Sequence, residues 1–101
     1  MSRVTLDDGR WFDSDRAEKF DEELEWNGHN RISIATGSQW EHETLYRTAG
    51  GRWVLYHWSQ WQGSRDTYEE ASNNEAARWL ARNGHSAHAS CEVEFAALEI
   101  A

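Results

Sequence analysis

Two runs dense in aromatic and β-branched residues, Trp40 to Thr48 and Arg52 to Trp61, stand on either side of Gly50-Gly51. Such residues suit a pleated, half-buried surface and the glycines permit a tight turn, so the pattern predicts a long β-hairpin. With a turn of only those two glycines, Trp40 faces Trp61, His42 faces Ser59, Thr44 faces His57, Tyr46 faces Leu55 and Thr48 faces Trp53. These residues then share one side, which carries no Asp, Glu, Lys or Arg. The other side holds Leu45, Val54, Tyr56 and Trp58 beside Glu41, Glu43 and Arg47. A slip of one residue would exchange the faces, because side chains alternate with a period of two.

What surrounds this hairpin is bounded by size. A chain of 101 residues reads as one domain, 1–101. The hydrophobic fraction is 39%, below the ordinary range of about 45–50%. Seven tryptophans offset this, since each large ring can bury on the order of 150–250 Å². Acids outnumber bases, 18 to 10, for a net charge of −8. Nine of the acids fall between Asp7 and Glu25, and no cluster of Lys and Arg exists to meet a phosphate backbone. Direct nucleic-acid binding is not expected. A single cysteine, Cys91, cannot close an internal disulfide, and no apolar run approaches a membrane span. A reducing, cytoplasmic setting is the expectation.

Local signals place further elements. Val4-Thr5-Leu6 and Arg10-Trp11-Phe12 flank Asp7-Asp8-Gly9, which predicts a short hairpin with a type I′ turn at Asp-Gly. Ser14 can cap a helix carrying Ala17, Phe20 and Leu24 on one stripe, with Asp15 and Glu18 suiting its positive end. Trp26 to Asn30 reads as a loop, and Ile32 and Ile34 as a short strand. Ser72-Asn73-Asn74-Glu75 fits a capping box. Ala71 and Ala76 can staple across it, Ala76, Trp79, Leu80 and Asn83 share a face, and Gly84 supplies the left-handed stop. Val93 to Ile100 fits a terminal helix or a last strand equally. The expected fold is therefore α+β: a small antiparallel sheet, made of the N-terminal hairpin and the long aromatic one, packed with two or three helices.

Three stretches carry a resemblance: Thr36-Gly-Ser-Gln-Trp-Glu-His-Glu-Thr-Leu-Tyr-Arg-Thr48, Gly51-Arg-Trp-Val-Leu-Tyr-His-Trp-Ser-Gln-Trp-Gln-Gly63, and Glu75-Ala-Ala-Arg-Trp-Leu80 with Asn83-Gly84. Over about half its length the chain resembles a group of small bacterial proteins without an assigned reaction, some from phage or other mobile-element contexts. The resemblance implies a hairpin followed by a helix. It implies no chemistry.

Four sets of residues can carry function. Trp40, Tyr56, Trp58 and Trp61, with Glu41 and Glu43, are the candidate binding residues, because Trp and Tyr dominate interface hot spots. His42, His57 and Ser59 form an alternative polar cluster, a base and nucleophile in outline, but the carboxylates Glu41 and Glu43 point away from it. His85, His88 and Cys91 bear ligand-type groups, yet their three-residue spacing turns the third about 240° from the first on a helix; no metal or other cofactor is expected. The Gln60 to Arg65 segment, with its amides and guanidinium, either binds a small polar ligand or satisfies the backbone leaving the sheet.

The leading expectation is a non-enzymatic protein-binding or regulatory module that uses the aromatic sheet surface to hold a protein partner or a second copy. Two alternatives stand beside it: an acidic nucleic-acid mimic that inhibits a host DNA- or RNA-binding protein, and a small enzyme using His42, His57 and Ser59.

Overall fold

The computed structural model describes residues 1–26, 28–61, 63 and 65–100. Strands β1 (Arg3–Thr5) and β2 (Trp11–Asp13) pair as a hairpin, followed by β3 (Glu18–Asp21). Strands β4 (Leu24–Trp26) and β5 (Arg31–Ser33) form a short arm. The long central hairpin is β6 (Glu41–Arg47) and β7 (Trp53–Ser59), then come β8 (Thr67–Ala71) and the helices α1 (Asn73–Arg82) and α2 (Glu92–Ala96). The main sheet runs β3-β6-β7-β8, antiparallel throughout. The architecture is α+β, with antiparallel sheets and two α-helices among the described residues.

The central hairpin forms one residue out of the expected register. Glu41 pairs Ser59, His42 pairs Trp58, Glu43 pairs His57, Thr44 pairs Tyr56, Leu45 pairs Leu55, Tyr46 pairs Val54 and Arg47 pairs Trp53. The cause is the turn. Thr48 N–H donates to the Arg52 carbonyl and Gly51 N–H to the Thr48 carbonyl, so the loop holds three residues, Ala49 to Gly51. Gly51 takes the left-handed conformation, φ +88°, that a type I turn with a bulge requires. The N-terminal hairpin closes in the same way over Asp7-Asp8-Gly9, with Leu6 N–H donating to Arg10 and Gly9 N–H to Leu6. Among the described residues only glycines have positive φ, which excludes the type I′ turn expected at Asp8-Gly9.

The first helix is corrected to a strand. Asp13, rather than Ser14, caps a single 3-10 turn over Ser14–Arg16, and the chain then extends into β3. β3 pairs with β6 from Glu18↔Arg47 to Asp21↔Thr44. Ala17, Phe20 and Leu24 are too few to hold a helix against that pairing. Phe20 packs on the core from its strand, while Leu24 lies in β4. β8, an edge strand read over Thr67-Tyr68-Glu69-Glu70-Ala71, was not expected at all. Within the reading of Trp26 to Asn30 as a loop, Trp26 instead ends β4, and Asn27 lies outside the described residues.

Helix α1 follows its sequence signals. Ser72 Oγ accepts from Glu75 N–H at 3.1 Å and Glu75 returns a bond to Ser72 N–H at 3.2 Å. Ala76, Trp79, Leu80 and Asn83 are all buried, and Gly84 is left-handed at φ +74°. That face covers one side of the sheet, forming a core of Leu45, Trp53, Ala76, Ala77, Leu80 and Cys91, with Phe20 and Leu55 packed against it. Trp53 Nε1 donates to Asn73 Oδ1 at 3.1 Å, tying sheet to helix start. The C-terminal segment resolves as a helix, α2.

On the other side of the sheet a smaller core joins Leu6 and Phe12 of the N-terminal hairpin to Val54, with Tyr46 and Tyr68 alongside. Arg10 bridges Asp8 and Glu70, and Arg52 also reaches Glu70, which pins the hairpin across β8.

Candidate functional site

The register decides which side chains meet. Glu41, Glu43, Leu45 and Arg47 share the helix-facing side with Trp53, Leu55, His57 and Ser59. His42, Thr44 and Tyr46 share the opposite side with Val54, Tyr56 and Trp58. The proposed trio therefore divides: His42 lies on one face and His57 and Ser59 on the other. Glu43, expected on the face away from His57, sits directly across from it. Its carboxylate accepts from Trp79 Nε1 at 3.1 Å, and burial pushes its pKa up.

Rows of neighbours cross the open face. Lys19, Tyr46, Val54 and Glu70 make one row; Asp21, Thr44, Tyr56 and Tyr68 make the next; His42 and Trp58 make a third. The N-terminal hairpin covers the first row, where Phe12 meets Tyr46 at 5.4 Å between centroids. Beyond it lies a hollow of about 710 Å³, bordered by Asp21, Glu22, His42, Thr44, Tyr56 and Trp58. Thr44 is the reason for the hollow. It is a short side chain set between Asp21 and Tyr56, and it lines the hollow from below.

The aromatic walls are braced. Tyr68 stacks on Tyr56 at 4.3 Å with planes 3° apart, leaving the other ring face toward Thr44. Tyr56 Oη donates to Asp66 Oδ2 at 2.8 Å; burial and this bond push the phenol pKa up, so the hydroxyl keeps its proton. Trp58 stacks on His42 at 4.5 Å. His42 Nδ1 lies 2.9 Å from Glu22 Oε2, both side chains being 10% exposed. Glu22 Oε1 also accepts the Glu43 backbone N–H at 2.7 Å. His42 Nε2 is buried and has no hydrogen-bond partner among the described residues.

At the end of the hairpin nearest Gln60, which also lines the hollow, Trp40 and Trp61 meet at 5.1 Å between centroids. They stay 40% and 58% exposed. Their contact was expected from the sequence, although the backbone pairing beside it is Trp40 with Gln60. Of the candidate binding residues, Tyr56, Trp58 and Glu43 line the hollow, Trp40 and Trp61 lie next to its Gln60 end, and Glu41 does not border it; by register Glu41 and Glu43 belong to the helix-facing side of β6.

His85, His88 and Cys91 are each engaged separately. His85 Nε2 bonds the Asp21 carbonyl at 2.6 Å, and His88 bonds Glu18 and Ser90. Cys91 is a free thiol in the core, its pKa pushed up by burial. Among the described residues no group of three or more His, Cys, Asp or Glu side chains is arranged to hold a metal ion. In the Gln60 to Arg65 segment, Gln62 and Ser64 lie outside the described residues, and Arg65 reaches Asp7 at 3.8 Å. Among the N-terminal acids, Asp8 holds Arg10, Asp13 caps the 3-10 turn and Glu22 lines the hollow.

Both outer strands of the sheet give up a carbonyl to the chain itself, Asp21 to His85 and Tyr68 to the Asp7 N–H. Each contact takes one edge carbonyl out of reach of an added strand. Glu22 and Thr44 had no distinguishing sequence signal, one lying in an acidic run and the other inside a strand.

Compared with known protein families, curated proteins and solved structures, the chain matches none. No helix among the described residues is long and apolar enough to cross a membrane.

Proposed function

We propose that this chain is a non-enzymatic binding module that docks a protein partner on the open half of its main sheet. Trp40 and Trp61 anchor the rim, and Tyr56 and Trp58 provide the wall of the recess between rim and N-terminal hairpin. One observation carries the reading: the N-terminal hairpin buries the Val54 end of this face and stops, leaving an aromatic-lined hollow beside two exposed, mutually packed tryptophans. Large rings held by their neighbours lose little entropy on binding, which is why such residues make effective anchors. A hydrolytic role would need His42, His57 and Ser59 together, and the register keeps them on opposite faces. The buried, unpaired Cys91 fits a reducing, cytoplasmic setting.

Capture of partners from the host extract tests this, comparing the wild-type protein with the Trp40→Ala, Trp61→Ala double variant. Both rings are substantially exposed, so the double variant keeps its fold within about 1 kcal/mol. A stoichiometric protein retained by the wild type and lost by the folded double variant supports the reading; a second copy of the chain identifies the partner as itself. Equal retention by both proteins contradicts it.

A further inference from the structure

The hollow above Thr44 is acidic as well as aromatic, and the combination indicates what fits it. Asp21 stands at its outer side, 80% exposed, and Glu22 at its inner end. Lys19 is the cation of this wall, 3.8 Å from Asp21. Across from Asp21, the Tyr56 ring turns its side away from Tyr68 toward the hollow, with Trp58 6.4 Å from it and inclined by 24°. A flat π-face opposite carboxylates suits a planar cation with several N–H donors, the chemistry of guanidinium rather than ammonium. Aromatic rings of this chain already accept that group: Arg3 lies 4.6 Å over Trp11 and Arg47 lies 4.9 Å over Trp53.

His42 adds an independent sign. Glu22, as a carboxylate, only accepts, so the proton between them sits on Nδ1. Nε2 is buried and has no hydrogen-bond partner among the described residues. Buried polar atoms are nearly always matched by a partner, and this side chain belongs to the lining of the hollow.

Resting on the docking face described above, we infer that the hollow receives an arginine side chain from an extended basic segment of the partner protein. Its guanidinium lies on Tyr56 with N–H groups toward Asp21 and Glu22, while flanking residues of the segment reach Trp40 and Trp61. The chain's net charge of −8 favours such a partner over an acidic one.

The test is an NMR titration of the labelled protein with acetyl-Gly-Gly-Arg-Gly-Gly-amide and with the same peptide carrying citrulline, which keeps the shape and loses the charge. The arginine peptide is expected to shift the Thr44 and Tyr56 amides and the Trp58 indole, and citrulline to bind about tenfold more weakly. Asp21→Asn, at a side chain 80% exposed and so harmless to the fold, is expected to weaken the arginine peptide about threefold. Equal binding of the two peptides, or shifts confined to residues away from the hollow, overturns the assignment. A captured partner that needs Trp40 and Trp61 but is retained undiminished by Asp21→Asn and by folded Glu22→Gln overturns the arginine while the docking face stands. A partner indifferent to Trp40 and Trp61 removes both.

Discussion

Glu22 holds two parts of β6 at once: its Oε2 lies 2.9 Å from His42 Nδ1 while its Oε1 accepts the Glu43 backbone N–H at 2.7 Å. The residue follows the last position of β3, so this one carboxylate fixes where the chain leaves the sheet for the β4–β5 arm. Removing one partner of a buried pair leaves the other uncompensated, at a cost of about 3 kcal/mol. Glu22→Ala is therefore expected to lower the urea midpoint strongly, and His42→Phe combined with it to cost less than the sum of the two single changes. A strictly additive double-mutant cycle would show that the pair is not coupled.

Gly50 and Gly51 differ sharply despite being adjacent and identical. Only Gly51 is left-handed, at φ +88°, and a Cβ there would stand 3.3 Å from the Arg47 guanidinium; at Gly50 the nearest atom is 4.0 Å away. Gly51→Ala is expected to destabilise by about 1–2 kcal/mol, and Gly50→Ala to change stability by no more than about 0.5 kcal/mol. Denaturant unfolding of the two variants checks this. Equal and large losses would instead indicate a two-glycine turn and the other register.

That register explains much of what the sequence did and did not reveal. The strands of the central hairpin and the capped helix were legible because their signals are local: alternating aromatics in one case, Ser72 and Glu75 in the other. Turn length was not, since Thr48-Ala49-Gly50-Gly51 is compatible with two- and three-residue loops, and that single residue moved His42 away from His57. β3 was misread because Ser14, Ala17, Phe20 and Leu24 satisfy helical spacing, while the pairing that overrides it comes from residues more than twenty positions along. β8 carries two adjacent glutamates and shows no clean alternation. The hollow itself is a property of rows across four strands, so Thr44 as its floor and Glu22 as its inner wall could not be seen before the pairing was known.

Glu43 and Glu70 are expected to pull the pH dependence of stability in opposite directions. Burial, first among its causes, raises the Glu43 carboxyl above its ordinary 4.5. The folded state holds that proton more tightly than the unfolded chain, so the contribution is present below 4.5 and is lost as pH rises through the folded value. Glu70, bonded to Arg52 and Arg10, is lowered from 4.5, so its contribution is present above that value and disappears as pH falls through the folded one. Glu43→Gln keeps an acceptor for Trp79 without the buried charge. It is expected to stabilise the protein at pH 7 by about 0.5 kcal/mol, a figure discounted for the solvent that still reaches the carboxylate. Urea midpoints of both proteins between pH 4 and pH 7, on the order of the range where such carboxyls titrate, would show the gap narrowing toward acid; a gap that widens toward acid contradicts the assignment.

The docking face is tested most directly by site-specific photo-cross-linking. Benzoylphenylalanine is placed at Gln60, beside the hollow, and in a second protein at Arg78 on the exposed side of α1. The partner captured by the wild type is expected to be trapped covalently from position 60 and not from position 78. Trapping from position 78 alone, or equally from both, would contradict the open half of the sheet as the surface through which this protein binds.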